Sequence, residues 1–201
     1  MSYIISPPEE TALQAHLHKL RTQLHEDPEL SWQEHRTTRL VRRELEALCL
    51  EPVPLGLPTG TAALLRGALP GPTVGLRADL DALPITERTG AEFSSRVPGV
   101  MHACGHDIHM AALLGAARLL AARREQLAGN VLFLFQPAEE AATGAMQVLE
   151  QGLFRRVPMA GMLALHVWPG LAQGQLGVRS GAILSAVDSF EITVTGRGGH
   201  G

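Results

Sequence analysis

Cysteine is scarce in this sequence: only Cys49 and Cys104 occur among 201 residues. Two cysteines are too few for a disulfide framework, so we expect free thiols and a reducing, cytoplasmic location. Cys49 lies near the end of a predicted helix, and we expect it to be a small buried side chain. Cys104 lies among histidines and is considered with them below.

Basic charge and long apolar runs are also lacking. The formal net charge is −3, and no clustered basic face is evident, which argues against a nucleic-acid partner. No unbroken apolar stretch reaches the roughly 18 to 20 residues that span a membrane. Residues 1–10 carry prolines and acids instead of a basic patch followed by an apolar core, so we expect no signal peptide. A composition of 45% hydrophobic and 18% charged residues is ordinary for a soluble globular protein.

The first fifty residues predict two helices. Leucines recur at positions 13, 17, 20 and 24, behind Ser6 and two prolines that suit a helix start, and Asp27-Pro28 should end this helix. A second helix is predicted from Ser31 to about Leu48, with Ser31 and Glu34 as a capping box.

Strands and helices alternate after residue 60. Residues 61–65 and 73–78 predict two strands joined by a turn. Residues 131–135 and 162–167 are apolar on both faces, as in strands buried between helix layers. Helices are predicted at 108–124 and 141–151. This order predicts a three-layer α/β domain with a mixed sheet over residues 1–185.

The pattern changes near the end of the sequence. Residues 190–195 alternate apolar and polar side chains, which predicts a strand with one wet face and the start of an α+β domain at 186–201. Residues 196–201 spell G-x-G-x-x-G, but neither a helix nor a ribose-binding acid follows in the sequence, so a dinucleotide site is rejected. The sequence contains no G-x-S-x-G and no H-E-x-x-H motif, so it gives no support for a serine hydrolase of that type or for a zincin.

The segment 101–107, MHACGHD, carries candidate metal ligands. Asp107 is expected to cap the helix predicted at 108–124, which places Cys104 and His106 in the loop before it. The helix dipole should favour a Cys104 thiolate there, and both side chains can converge on one cation. The alternative is a buried cysteine beside surface histidines.

Glu139 and Glu140 follow a buried strand, where open α/β sheets place their ligand sites. Adjacent glutamates are more often a solvated helix start. Beside a Cys/His cluster, however, one carboxylate can bind metal while the other takes a proton from water.

Other strand ends carry further candidates. His166 is a candidate ligand, although a lone histidine on an apolar strand is more often a hydrogen-bonded core residue. Asp79 and Asp81 share one face at the end of another strand and could orient a ligating histidine, or they are turn residues before Pro84.

Several motifs occur together in a fixed order. They are residues 24–31, RADLDALPI at 77–85, HACGHD at 102–107, QPAEE at 136–140, HVWP at 166–169 and the glycine-rich 196–201. This set resembles the M20 metallopeptidase family, in the amidohydrolase branch of hippurate hydrolases, N-acyl-amino-acid amidohydrolases and indole-acetyl-amino-acid hydrolases. The resemblance extends from about Leu20 onward.

The resemblance implies roles for individual residues. Cys104 would bridge two divalent ions, which His106, Glu140 and His166 would also bind. Glu139 would be the general base, and His200 would be the lid-domain histidine that reaches a neighbouring subunit's site. Five residues would support the ligands or the fold: Asp79, Asp81, His102, Asp107 and His109.

The implied reaction is hydrolysis of N-acyl amino acids, hippurate-like or N-acetylated, by a water that two metal ions activate. Zinc or manganese suits these ligands first, and cobalt or nickel is compatible. Family members are about twice as long as this chain, dimerise through the lid domain, and add a final histidine ligand in the part beyond residue 201. The alternatives are an inactive metal-binding fragment, an interaction module, or a related M20 dipeptidase or desuccinylase.

Overall fold

The computed structural model describes residues 6–184, 186 and 190–200. Its helices and strands are, in chain order, α1 (Pro7–Glu26), α2 (His35–Ala47), β1 (Glu51–Val53), β2 (Thr61–Arg66), β3 (Leu69–Asp79), α3 (His106–Ala121), β4 (Ala128–Gln136), α4 (Gly144–Glu150), α5 (Leu153–Arg156) and β5 (Gly161–Ala164). A short 3-10 turn, Arg124–Gln126, lies between α3 and β4. None of the helices in the described ranges is long and apolar enough to cross a membrane.

The five strands form one mixed sheet in the order β1-β2-β4-β3-β5. Strands β1, β2 and β4 pair antiparallel, whereas β3 runs parallel to both β4 and β5. The predicted α/β fold with a mixed sheet is therefore confirmed. The predicted turn does join β2 to β3, but the two strands do not pair, because β4 lies between them. A strand that is apolar on both faces, such as β4, is stable in such a central position.

Strand β4 supplies side chains to two cores, one on each face of the sheet. Val131, Phe133 and Phe135 pack with buried leucines of α1, α2 and α3. Leu132 and Leu134 face the other way and pack with Val148 and Leu153 of α4 and α5. Alternating side chains of one strand thus hold a helix layer on either side.

The start of α1 is as predicted, but that of α2 is not. Ser6 and Glu9 form a capping box before α1. Helix α2 begins at His35 instead of Ser31. The Ser31 hydroxyl donates to the Asp81 carboxylate, and the Glu34 carboxylate accepts from the Ala138 N–H, so neither side chain caps the helix. Distant buried partners outweigh the local capping pattern here.

Helix α3 also begins differently, at His106. Gly105 is the residue that precedes it, with φ +85°, and a Cβ there would lie 2.5 Å from Val167. Asp107 was expected to cap the helix; instead it lies in the first turn, where its carboxylate accepts hydrogen bonds from Arg21 and His25. The close approach of Val167 and the left-handed backbone explain why glycine occupies position 105.

Two expectations of burial are wrong. Strand β5 ends at Ala164, short of the predicted residue 167, and its residues are exposed, with Leu163 at 65%. It pairs with β3 at the edge of the sheet. Cys49 is exposed as well. It follows α2 with φ +53°, a left-handed conformation that turns the chain outward after a helix.

The chain divides into two compact units, residues 1–167 and 168–201. In the second unit, the described residues form no helix or strand. The strand predicted at 190–195 is not formed, and Phe190, Ile192 and Val194 are exposed. Ser189, the polar residue that opens the alternating pattern, lies outside the described residues. The lid domain and its boundary at residue 186 therefore stay predictions.

Candidate metal centre

The carboxyl ends of three parallel strands meet at one edge of the sheet. Asp79 is the last residue of β3, Glu139 follows β4 by three residues, and His166 follows β5 by two. Helix α3 begins at the same edge with His106. Parallel strands place their carboxyl ends together, which is where α/β sheets bind ligands.

The predicted ligands come together at this edge. His106 Nε2 lies 3.5 Å from Asp79 Oδ2, 3.8 Å from Glu139 Oε2 and 3.7 Å from Glu140 Oε1. Cys104 Sγ lies 3.4 Å from His166 Nε2. Three groups that share His106 each keep their ligand atoms within 4.8 Å of one another: Cys104, His106 and His166; His106, Glu139 and Glu140; and Asp79, His106 and His109. The first two consist of the predicted ligands and the predicted base. We call Cys104, His106, Glu139, Glu140 and His166 the metal site.

The tautomer of His106 follows from its contacts. Its Nδ1 lies 2.8 Å from the carbonyl oxygen of Asp81, which can only accept, so Nδ1 carries the proton. Nε2 is then the ring nitrogen that faces the carboxylates. His106 Nε2 and Glu140 Oε1 are both buried and have no hydrogen-bond partner among the described residues. Buried polar atoms left without a partner are costly, and a cation between these two satisfies both. The donor set therefore fits a metal ion.

Charge at the metal site favours a cation. Burial would lower the pKa of His106, but Asp81 and Asp79 outweigh it and raise that pKa. Burial, with the charge of Glu139, raises the pKa of Glu140. Excess negative charge is thus held close together in a partly dry pocket, where electrostatic interactions are strong.

Cys104 does not behave as the sequence predicts. Burial and then the nearby Glu140 and Glu139 raise the pKa of its thiol to about 12, although it lies just before a helix. The expectation that the helix start favours the thiolate is therefore wrong for the protein without metal, because the carboxylates repel a further negative charge. A bound cation reverses this balance and deprotonates a coordinating thiol.

Asp79 and His109 are hydrogen-bonded to each other beside the metal site. His109 Nδ1 lies 2.7 Å from Asp79 Oδ1, and the backbone N–H of Val167 donates to His109 Nε2 at 3.0 Å. Both ring nitrogens of His109 are therefore occupied. Burial would raise the pKa of Asp79, but the hydrogen bond from His109 and the charges of His106 and Arg77 lower it to about 2.

Asp81 connects three parts of the site. Its Oδ1 accepts from the backbone N–H of Glu139 at 3.0 Å, and its Oδ2 accepts from the N–H of Glu140 at 2.9 Å and the hydroxyl of Ser31 at 2.7 Å. These bonds and His106 outweigh burial and lower the pKa of its carboxyl. Sequence reasoning missed Ser31, because it fits a helix cap equally well.

A second charged cluster is centred on Asp107, the residue after His106. Asp107 Oδ2 accepts from Arg21 Nε at 2.7 Å and His25 Nδ1 at 2.8 Å, and His25 Nε2 lies 3.2 Å from Glu87 Oε1. We call Arg21, His25, Glu87 and Asp107 the ionic network. Of these, only Asp107 was singled out from the sequence. His25 lies in the 24–31 motif, which was the one signal that could have found it.

Two other predicted residues stand apart from the metal site. His102 is buried, and neither ring nitrogen has a hydrogen-bond partner among the described residues. Burial lowers its pKa to about 4, which keeps the ring neutral. His200 belongs to the unit 168–201 and is exposed, so its role stays a prediction.

Comparison with known proteins agrees with this arrangement. Residues 75–200, more than half of the chain, match the sequence profile of peptidase family M20/M25/M40. The chain belongs to this family. It is 47% identical over 190 residues to an N-acetylcysteine deacetylase of Bacillus subtilis, covering 94% of this chain and 50% of the relative. It is 42% identical over 184 residues to an N-acyl-L-amino acid amidohydrolase of Geobacillus stearothermophilus, covering 90% and 49%.

An IAA-amino acid hydrolase of Arabidopsis thaliana is also 42% identical over 184 residues, covering 90% of this chain and 41% of the relative. Among solved structures, a dinuclear metal binding peptidase of family M20 from Bacillus subtilis is similar, with a TM-score of 0.77 and 46% identity over 80% of this chain and 45% of that one. The predicted amidohydrolase branch of M20 is confirmed. The chain spans about half the length of the curated relatives it matches.

Proposed function

We propose that this chain carries the metal site of an enzyme that hydrolyses N-acyl amino acids to a carboxylic acid and a free amino acid. The observation that carries the proposal is the convergence of Cys104, His106, His166 and the Glu139-Glu140 pair at the carboxyl edge of the sheet. Deacetylase and amidohydrolase relatives, more than 40% identical over nine-tenths of the chain, support the substrate class.

Four side chains would hold two divalent ions in this proposal: Cys104, His106, Glu140 and His166. Thiolate, imidazole and carboxylate ligands suit zinc or manganese, and cobalt or nickel is compatible. When bound, such ions polarise an amide carbonyl and lower the pKa of the attacking water.

The two adjacent glutamates would have different roles, Glu140 as a metal ligand and Glu139 as the general base. The Glu139 side chain is 40% exposed and that of Glu140 is 20% exposed, so Glu139 is the more accessible to substrate and water. Glu139 would accept the proton of the attacking water and return it to the departing amine. Hydrogen bonds from both backbone N–H groups to Asp81 keep the two carboxylates side by side. His200 would stabilise the reaction intermediate in a neighbouring subunit of a homodimer.

The proposal is tested on the protein expressed from its complete reading frame. We expect two metal ions per subunit by elemental analysis and release of amino acid from N-acetyl or N-benzoyl substrates. Glu139→Gln should lower kcat by about 10²- to 10⁴-fold while leaving metal content unchanged, since general-base catalysis contributes on that scale. Glu150→Gln on the exposed surface of α4 is the matched control.

Two outcomes would contradict the proposal. Undiminished turnover in the Glu139→Gln variant would remove Glu139 as the base. Hydrolysis of peptides in preference to N-acyl amino acids would change the substrate class. Peptide substrates are included in the test because a thermostable carboxypeptidase of Saccharolobus solfataricus is 44% identical over 91% of this chain.

A further inference from the structure

Three consecutive backbone N–H groups, those of residues 138–140, donate to just two buried carboxylates. The Ala138 N–H donates to Glu34 Oε1 at 2.7 Å. The N–H groups of Glu139 and Glu140 donate to the two oxygens of Asp81 at 3.0 and 2.9 Å. The segment that carries the proposed base is therefore fixed by its backbone, so the Glu139 side chain is left free to react.

Ala138 has a backbone conformation that needs such support. Its φ is +50°, in the left-handed region that alanine rarely adopts, and the residue is completely buried. Its carbonyl accepts from the N–H of Gly144 at 3.1 Å. This residue turns the chain from the end of β4 toward Glu139. A strained backbone of this kind persists only where surrounding contacts impose it.

Glu34 is a buried carboxylate with no other evident use. It is 0% exposed, and its second oxygen accepts from the Thr59 hydroxyl at 2.7 Å. No lysine, arginine or histidine of the described ranges lies within ion-pair distance of it. Although Glu34 immediately precedes α2, its side chain does not cap that helix. Burying a carboxylate is costly unless donors compensate it, and here two donors, one from the Ala138 backbone, do so.

We propose that Glu34 is a positioning residue for hydrolysis: its hydrogen bond to the Ala138 N–H holds the left-handed turn that aims Glu139 at the attacking water. The inference rests on the function proposed above, because it takes Glu139 as the base. Glu34 acts through the backbone and touches neither substrate nor metal.

The test uses Glu34→Leu, which keeps the size of the side chain but cannot accept a hydrogen bond. We expect kcat to fall by about 100-fold, since misplacing a reacting group by about 1 Å costs on that order, with KM and metal content nearly unchanged. Glu34→Gln should retain most of the activity, because its amide oxygen still accepts from the Ala138 N–H. Thermal unfolding is measured for every variant.

Glu29→Leu is the matched control. Glu29 is also buried, and its carboxylate accepts from the N–H and the hydroxyl of Thr37, at 2.8 and 2.9 Å, beside the same helix. It makes no hydrogen bond to residues 138–140. We expect Glu29→Leu to lower stability to a similar extent but to leave kcat near that of the wild type.

Two further measurements separate positioning from simple loss of stability. Glycine adopts positive φ freely, so Ala138→Gly in the Glu34→Leu background should recover much of the lost kcat. Amide hydrogen exchange at residues 138–140 should be faster in Glu34→Leu than in Glu29→Leu, with or without metal. If Glu34→Leu does not fold, Glu34→Met, whose flexible apolar side chain also offers no oxygen to the Ala138 N–H, should give the same changes.

The inference is overturned if Glu34→Leu, or Glu34→Met in its place, lowers kcat no more than Glu29→Leu, or if exchange at residues 138–140 is unchanged. It is also overturned if glycine at 138 restores nothing. Its failure is distinct from failure of the proposed function. A wild-type protein that hydrolyses no N-acyl amino acid removes the proposed function, and undiminished turnover in Glu139→Gln removes the proposed base. An inactive Glu139→Gln together with a fully active Glu34→Leu removes only the positioning role.

Discussion

The ionic network and the metal site share one short charged segment, residues 102–107: Asp107 belongs to the network, and Cys104 and His106 belong to the metal site. In the network, Arg21 and His25 face the carboxylate of Asp107 at 2.7 and 2.8 Å. In the metal site, His106 Nε2 faces carboxylate oxygens of Glu140 and Glu139 at 3.7 and 3.8 Å, and the Cys104 thiol faces the imidazole of His166 at 3.4 Å.

This difference separates a structural cluster from a functional one. In the network, the carboxylates of Asp107 and Glu87 face the side chains of Arg21 and His25, so opposite charges are paired within the protein. Among the described residues, Asp107 Oδ1 is its one buried acceptor without a hydrogen-bond partner. In the metal site, several acceptor atoms lie close together. A donor such as His106 Nδ1 instead binds the carbonyl oxygen of Asp81, outside the site. Such a site gains stability only when a cation enters it.

The largest expected effect on stability comes from a substitution that breaks the ionic network. Asp107→Asn removes the buried charge that faces both Arg21 and His25 and should lower the free energy of unfolding by about 3 kcal/mol. Glu140→Gln in the metal-free protein should leave that free energy unchanged or raise it, because burial already raises the pKa of Glu140 and disfavours its charge. Urea denaturation with a chelator at pH 7 measures both. Equal losses would mean that the two clusters do not differ in this way.

A slightly smaller effect concerns metal and stability. Zinc at 100 times its dissociation constant should raise the free energy of unfolding of the wild-type protein by about 2.7 kcal/mol. Cys104→Ala should remove most of this gain, whereas Cys49→Ala, at the exposed cysteine, should keep it. Thermal unfolding with and without zinc distinguishes them. An undiminished gain in Cys104→Ala would exclude Cys104 as a ligand.

The smallest expected effect is the pH dependence of the stability that the ionic network contributes. The hydrogen bond to Asp107 raises the pKa of His25 above its ordinary value of 6.5. Because the folded-state pKa is the higher one, the contribution of His25 is fully present below pH 6.5 and is lost as pH rises through the raised pKa. His25→Gln should flatten this part of the stability profile. A slope that persists in this variant would assign it to another group.

Prediction from the sequence succeeded where the pattern is local. The apolar run of β4 and the start of α1 at Ser6 and its two prolines were recognised because local pattern alone defines them. It failed at Ser31 and Glu34, since S-x-x-E reads as a helix cap whether or not distant donors and acceptors compete for the two side chains. The partners, Asp81 and Ala138, are 50 and 104 residues away in the chain.

In the metal site too, features set by local sequence were predictable and features set by distant contacts were not. Strand-end positions of Glu139 and His166 follow from the alternation of strands and helices. The tautomer of His106, the hydrogen-bonded Asp79–His109 pair and the high pKa of Cys104 do not, because each depends on distances between segments. The exposure of β5 was missed because its composition resembles that of β4, while its place at the sheet edge is set by pairing.

The strand order also constrains how the molecule is made. Strands β2 and β3 are separated by two residues and leave the ribosome together, long before β4, which must come to lie between them. A β2–β3 hairpin is the local alternative during that interval, and it has to open, or never form, for synthesis to end in the native sheet. Asp81 and Glu139 come together through the pairing of β4 with β3, whose register ends at Asp79 and Gln136. The metal site therefore depends on a long-range step, because its ligands are not assembled until β4 has joined the sheet.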